Sequence, residues 1–157
     1  MQDFSELKQE FIQDYGEGYQ HFGLPQLMGR IVGLLLFEGK PLSLDYITQE
    51  LNVSKGPVSQ ITRRLRDHNL VQRKWVPGDR KDYYEAAPDI FGKAFVNRIS
   101  LMKSNLALAQ KYQEKIKDLN LDDELANFKI NIEDMYAFYE MMIKHYNNFL
   151  EEWHSRK

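Results

Sequence analysis

A polar and basic segment between residues 54 and 64 carries side chains that could bond to the edges of DNA base pairs. The amide of Gln60 suits bidentate bonds to adenine, and Lys55 or Arg63 can reach the N7 and O6 acceptors of guanine. Ser59 can bond to a base edge or to a phosphate. The chemistry that this segment predicts is therefore non-covalent recognition of a duplex.

The residues that begin the segment favour close contact with a sugar-phosphate backbone. Gly56 has no side chain to keep a ligand away, and Pro57 suits the first turn of a helix, where its missing N–H is harmless. Ser54 and the free N–H groups of that turn could bind a phosphate, as helix N-termini commonly do. Arg64 adds a further positive charge on the same helix.

Charge is distributed unevenly along the chain. The 157 residues have a net charge of only -2, yet residues 54–81 hold eight basic and two acidic residues, a local charge of +6, so the remainder carries -8. A cationic stretch within an acidic protein is typical of a surface that faces phosphates. The basic residues are Lys55, Arg63, Arg64, Arg66, Arg73, Lys74, Arg80 and Lys81.

Two short helices must position the segment. Ser43 is a favourable N-cap for a helix over residues 44–51, and Ser54 for a second helix that Asn69 would end. If Val58, Ile61 and Leu65 point inward, the 3.6-residue period leaves the polar side chains on the outer faces.

A basic hairpin follows the second helix. Residues 70–76 and 82–86 predict two strands, and Pro and Gly in residues 77–81 indicate the turn between them. Arg73 and Lys74 lie on the first strand, while Arg80 and Lys81 at the tip could reach a minor groove. We expect Asp79 to order the tip by bonding to its backbone.

Further helices flank this core. Residues 3–19 have a helical apolar period that Gly16 and Gly18 weaken, which predicts an amphipathic helix with a loose end. Residues 24–37 predict a buried helix ended by Gly39. Two long helices are expected from residue 88 to about 119 and, after residues 120–122, to about 154. The predicted divisions are 1–22, an N-terminal helix associated with the dimer, 23–88, a DNA-binding domain, and 89–157, helices for dimerisation and effector binding.

This layout predicts a mainly α winged helix-turn-helix with a small β-hairpin wing and long N- and C-terminal dimerisation helices. Residues 23–86 also resemble the MarR-type winged-helix regulators, and most of all their GbsR-like branch, named for glycine betaine regulation. The matching pieces are MGRI at 28–31, VSKGPVSQ at 53–60 and PGDRKDYY at 77–84. The resemblance implies a dimeric repressor or activator whose recognition helix begins at Ser54.

The C-terminal helices carry apolar and aromatic residues at helical spacing, which predicts a symmetric homodimer. The same aromatics leave two interpretations open. They could form a cage for a quaternary ammonium effector such as choline or glycine betaine, or they could be core or dimer interface. The residues proposed for the effector are Tyr136, Tyr139, Tyr146 and Phe149.

Several classes of protein are disfavoured. The chain has no cysteine, its four histidines are scattered, and no nucleophile elbow, phosphate loop or dinucleotide fingerprint occurs, so we expect no metal, no cofactor and no enzyme. No leader and no run of about 20 apolar residues is seen, which predicts a cytoplasmic protein without a membrane span.

The resulting expectation is a DNA-binding transcriptional regulator, more specifically a repressor, that binds double-stranded DNA at a palindromic operator as a homodimer. Two alternatives stay open. One is a winged-helix module that binds a protein instead of DNA, and the other is a small enzyme that uses the aromatic pocket.

Overall fold

The structure, a computed structural model, describes residues 3–119 and 123–156, which form six helices and three short strands. In chain order these are α1 (Phe4–His21), α2 (Gln26–Glu38), β1 (Leu42–Ser43), α3 (Leu44–Leu51), α4 (Lys55–Asp67), β2 (Val71–Lys74), β3 (Tyr83–Ala86), α5 (Ile90–Ile116) and α6 (Asp123–Ser155).

The chain divides into two compact units, Met1–Ile90 and Phe91–Lys157. Helix α2 lies at the centre of the first unit, because Ile31, Val32 and Leu34 have no exposed surface. Apolar side chains of α3 and α4, including Ile47 and Val58, complete the same core. A helix that is apolar on all sides is stable only when other elements surround it, which explains its central place.

Helix α1 packs on α2 through glycines, and here the prediction of a loose helix end is wrong. Helix α1 continues through Gly16 and Gly18 to His21. A Cβ atom placed on Gly29 would lie 2.6 Å from the backbone oxygen of Tyr15 and 2.8 Å from the Cα of Gly16. The two helices approach so closely that only glycine fits at the contact, and burial compensates for the low helix propensity of glycine.

The predicted helix ends between α2 and β2 are confirmed. Gly39 ends α2 in the left-handed conformation with φ 62°, and the Ser43 hydroxyl accepts a hydrogen bond from the Tyr46 N–H at 3.1 Å. Asn52 (φ 52°) and Asn69 (φ 62°) are left-handed where α3 and α4 end. Glycine and asparagine tolerate the left-handed region better than most residues, so the residue at each helix end is enough to indicate the turn.

The sheet has one more strand than the sequence predicts. Its antiparallel order is β1-β3-β2, with Leu42 opposite Tyr84 and Val71 opposite Ala86. Strand β1 has two residues, too few for a periodicity to reveal it. The hairpin strands are also shorter than predicted, since pairing stops at Lys74 and Tyr83. The predicted mainly α fold with a small hairpin is confirmed.

The second unit consists of α6 and nearly all of α5. Its most buried apolar side chains are Ile99, Ala109, Ile116 and Ile132. The two long predicted helices are confirmed, while residues 120–122, predicted as their connection, lie outside the described residues. Among residues 3–119 and 123–156, no helix has an apolar stretch long enough to cross a bilayer.

Candidate nucleic-acid interface

Helix α4 presents a polar face because its apolar face is fully used by the core. Val58 and Leu65 are at most 1% exposed, and Thr62 is buried with its hydroxyl donating to the Val58 carbonyl at 2.7 Å. Ile61 is half-buried against the same core. The remaining directions of the helix face outward, as 3.6-residue periodicity requires.

The predicted DNA-contacting residues of α4 all reach the surface. Ser59 is half-buried and the others are exposed: Ser54, Lys55, Gly56, Pro57, Gln60, Arg63 and Arg64. Ser54 occupies the N-cap position with an extended backbone, but its side chain forms no capping bond. Its hydroxyl is therefore not used to cap its own helix.

Asp45 connects the start of α4 to the wing, the hairpin formed by β2, β3 and the turn between them. Its carboxylate lies 3.9 Å from the Lys55 ammonium and 3.6 Å from the Lys81 ammonium. Both lysines are well exposed, so these ion pairs are weak individually. They show that the first turn of α4 and the wing tip belong to one surface. The role of Asp45 could not be predicted, because nothing in the local sequence indicates which lysines an acidic residue in the first turn of α3 will contact.

The tip of the wing is held by Asp79, and the predicted role of this residue is confirmed. Its carboxylate accepts hydrogen bonds from the Lys81 N–H at 2.9 Å and from the Tyr83 hydroxyl at 2.6 Å. The bond from Tyr83 is the main cause that lowers the pKa of Asp79, and the same bond raises the pKa of Tyr83. Gly78, with φ 82°, makes the turn.

The four basic residues predicted on the wing, Arg73, Lys74, Arg80 and Lys81, are all exposed. Arg73 pairs with Asp82 at 3.5 Å, and Lys74 lies opposite Tyr83 in the sheet register. Of the predicted residues, Lys55 on α4 and Lys81 on the wing are brought together through Asp45.

A charged cluster that joins α1, α2 and α3 was not predicted. The Lys8 ammonium, on α1, donates to carboxylates of Glu38 and Glu50, each at 2.6 Å, and to the Tyr46 hydroxyl at 3.3 Å. Burial lowers the pKa of Lys8, but its hydrogen bonds to the two glutamates outweigh burial and raise the pKa above its usual range. Those bonds also lower the pKa values of Glu38 and Glu50.

The charged cluster ties α1 to the end of α2 and to α3. A second bond supports the turn before α4, since the Arg30 guanidinium donates to the Leu51 carbonyl at 2.9 Å. A charged donor on a helix-terminal carbonyl satisfies a group that the helix leaves unpaired. Both connections hold the helix that precedes α4 in place.

The four predicted effector residues do not form one group. Tyr146 and Phe149 both pack on Phe95, with ring centroids 4.6 and 4.9 Å apart. Tyr139 packs instead on Phe138, its neighbour in α6. Tyr136 precedes Tyr146 by ten helical residues, about 15 Å along the axis, so a single cage within one chain does not contain all four.

A cavity of about 280 Å³ lies between α5 and α6 in the second unit. None of the four predicted effector residues lines it. In the described ranges, no three histidine and carboxylate side chains converge as metal ligands would. The cavity is lined by Gln113, Ile116, Lys117, Leu119, Lys129 and Glu133.

Comparison with known proteins places this geometry in context. No family model matches the sequence. Over 133 residues the chain is 29% identical to YvaV of Bacillus subtilis, which is provisionally named an HTH-type transcriptional regulator, covering 80% of this chain and 75% of that protein. It is 27% identical over 132 residues to the HTH-type transcriptional repressor OpcR of the same organism, covering 79% of this chain and 71% of OpcR.

One solved structure shares the fold over nearly the whole chain. The crystal structure of a transcriptional regulator matches with a TM-score of 0.78 and 23% identity, covering 96% of this chain and 99% of that one. The reduced form of MarR from E. coli matches with a TM-score of 0.42 and 17% identity, over 85% of this chain and 96% of that one. The fold assignment depends on the first of these. The chain has a winged helix fold, and its curated relatives are HTH-type transcriptional regulators.

Proposed function

We propose that this protein is a sequence-specific DNA-binding transcriptional regulator, not an enzyme, and that it acts as a repressor. The observation that carries the proposal is the shared carboxylate of Asp45, which joins the exposed start of α4 to the basic wing tip through Lys55 and Lys81. A helix that fits a major groove beside a cationic hairpin is the arrangement with which winged helices contact a duplex. The regulator names of YvaV and OpcR support the proposal, and OpcR is named a repressor.

Within this surface, the outer side chains of α4 read bases and the wing contacts the backbone or minor groove. Gln60 and Arg63 are exposed on α4 and have the geometry for bidentate bonds to adenine and guanine. The ordered tip presents Arg80, whose guanidinium is attracted by the negative potential of a narrow minor groove.

The regulator is a homodimer that binds a palindromic operator. One winged helix covers few base pairs, and a second copy restores affinity and specificity, with the recognition helices about 34–36 Å apart. Helices α5 and α6 supply the interface, because Leu101, Phe138 and Met141 are each more than half exposed. Sedimentation at micromolar concentration should show a dimer, and a monomer would contradict this assignment.

The function is tested by selecting bound duplexes from a random library and measuring their affinity at two salt concentrations. Enrichment of a two-fold symmetric site with steep salt dependence is the expected result. A protein that binds an acidic partner instead of DNA would enrich no duplex in this selection.

Two substitutions separate the roles of wing and helix. Arg80→Ala should weaken binding and flatten the slope of log K against log salt by about 1, since one phosphate-facing cation is lost. Lys103→Ala, on α5, is the matched control and should change neither quantity. Gln60→Ala should change the preferred base at one position per half-site, whereas uniform weakening on all duplexes would contradict base reading.

We also propose a small effector of the quaternary ammonium class, such as choline or glycine betaine, as the GbsR-like resemblance suggests. The support within the chain is the ring cluster of Phe95, Tyr146 and Phe149, whose faces could attract a cation. Calorimetry and thermal melting with millimolar ligand test this, with Tyr146→Leu as the variant that should lose the response. If the wild type showed neither heat of binding nor a shift of its melting temperature, the proposal of a quaternary ammonium effector would be wrong.

A further inference from the structure

Trp75 is an apolar side chain in an unusual place. It follows Lys74, the last residue of β2, where the hairpin leaves the sheet, and it is 76% exposed. Among the described residues this is the greatest exposure of any large hydrophobic side chain, while Val71, at the start of β2, is 3% exposed. The core makes no use of Trp75, so folding alone does not explain a tryptophan at this position.

The surroundings of Trp75 are strongly positive. Arg73 and Lys74 precede it and are exposed, and the turn that follows carries exposed Arg80 and Lys81. The register that pairs Lys74 with Tyr83 places Trp75 between this strand end and the basic tip. An occupant of this surface must therefore offer negative charge and apolar surface side by side.

A sugar-phosphate backbone meets both requirements. Each strand presents one phosphate about every 3.4 Å along the helix axis, and deoxyribose faces lie between the phosphates. A tryptophan has a broad apolar face for the sugar and an indole N–H that donates a hydrogen bond. An acidic protein segment would meet both requirements only if apolar side chains alternated with its carboxylates, whereas a duplex repeats sugar and phosphate along its whole length.

We propose that Trp75 forms a non-ionic contact between the wing and the duplex, packing its indole on deoxyribose and donating its Nε1–H to a phosphate oxygen. This inference rests on the proposed function and adds a contact that the basic residues do not make. Because the indole carries no charge, its contact displaces no counterion. Substituting Trp75 should therefore lower affinity without changing its salt dependence, whereas substituting a neighbouring Arg or Lys should change both.

The first test is Trp75→Ala, measured on the selected duplex at several salt concentrations. Affinity should fall roughly tenfold, as for a buried aromatic anchor, while the slope against salt stays that of the wild type. Phe22→Ala is the matched control, since Phe22 is 71% exposed in the same unit but lies at the end of α1. It should bind as the wild type does.

The second test uses fluorescence. The chain has two tryptophans, and Trp153→Phe leaves Trp75 as the only tryptophan, whose indole can be excited selectively over the tyrosines. Adding the duplex to this variant should shift or quench its emission, and a scrambled duplex at high salt should not. Trp153 lies in the second unit, where it stacks on the Arg156 guanidinium at 4.1 Å. The duplex affinity of Trp153→Phe should equal that of the wild type.

The outcomes distinguish the inference from the function on which it rests. Unchanged affinity of Trp75→Ala, with a wild type that binds, would overturn the inference alone. A Trp75→Ala protein that changes its oligomeric state would assign the indole to a protein interface and overturn it as well. A wild type that binds no duplex would overturn both.

Discussion

Replacing Gly29 by alanine tests whether the close contact of α1 and α2 holds the first unit together. The added Cβ would lie 2.6 Å from the Tyr15 carbonyl oxygen and 2.8 Å from the Gly16 Cα, where ordinary contacts are 3.4–4 Å. Both obstacles are backbone atoms, so no side chain can rotate away. The helices must separate by roughly 1 Å in an interior that has little free space.

The expected loss follows from two opposing effects. Overpacking of this kind costs about 1–3 kcal/mol, and alanine recovers about 0.5–1 kcal/mol of helix propensity over glycine. The net destabilisation should be about 1–2 kcal/mol, which lowers the melting temperature of a chain of this size by roughly 2–8 °C. Thermal and urea unfolding followed by circular dichroism would measure it.

Gly18→Ala is the matched control on α1. Apart from the adjoining residues and the backbone of its own helix, no atom lies within 4 Å of a Cβ added there. Only the propensity gain remains, so stability should rise by about 0.5–1 kcal/mol. Opposite signs for the two substitutions are the expected result. If Gly29→Ala were as stable as the wild type, or if the stability of both variants changed in the same direction, the space at Gly29 would not be too small for a Cβ atom.

Three further substitutions probe the charged groups of the first unit. Lys8→Met should lower the free energy of unfolding by about 2 kcal/mol at pH 7. Because Glu38 and Glu50 have lowered pKa values in the folded state, this difference should be present above their usual value of 4.5 and disappear as the pH falls below it. Asp79→Ala should weaken duplex binding without changing the melting temperature, since it frees only the wing tip. Asp45→Asn should raise affinity about fivefold at low salt, since roughly 1 kcal/mol of repulsion from phosphates is removed, and the gain should fade at high salt.

Each of these substitutions has a control on the same unit. Lys40→Met removes an exposed partner of Glu38, 3.7 Å away, and should change stability by less than about 0.5 kcal/mol. If Lys8→Met and Lys40→Met lowered the free energy of unfolding equally, the ion pairs of Lys8 with Glu38 and Glu50 would not stabilise the fold more than an exposed pair does. Asp79→Asn keeps an acceptor for the Lys81 N–H and should bind nearly as the wild type does. Asp67→Asn removes an acid from the end of α4, and a gain as large as that of Asp45→Asn would show a general charge effect.

The limits of α3 and α4 and the outer face of α4 could be predicted because they depend on neighbouring residues. Ser43, Asn52 and Asn69 act within one or two turns of the chain, through caps and left-handed conformations. The apolar stripe of α4 leaves Gln60 and Arg63 outside by periodicity alone. Their contact with DNA stays a prediction until a duplex is bound.

Long-range contacts could not be predicted in this way. Strand β1 has two residues and exists because β3 lies beside it. Helical spacing alone predicts that the aromatic residues of α6 form one set, yet Tyr146 and Tyr139 pack on different rings. Spacing along one helix does not determine which residue of another element each side chain meets.

The order of the helices, the place of the turns, the basic hairpin and the winged helix fold can all be predicted from the amino-acid sequence. The contacts of Lys8 with Glu38 and Glu50, 30 and 42 positions away, and of Asp45 with the wing are visible only in the folded chain. This difference follows from the range of the interactions. Helix propensity, capping and turn geometry act over a few residues, whereas ion pairs and close helix contacts depend on distances that exist only after the chain has packed.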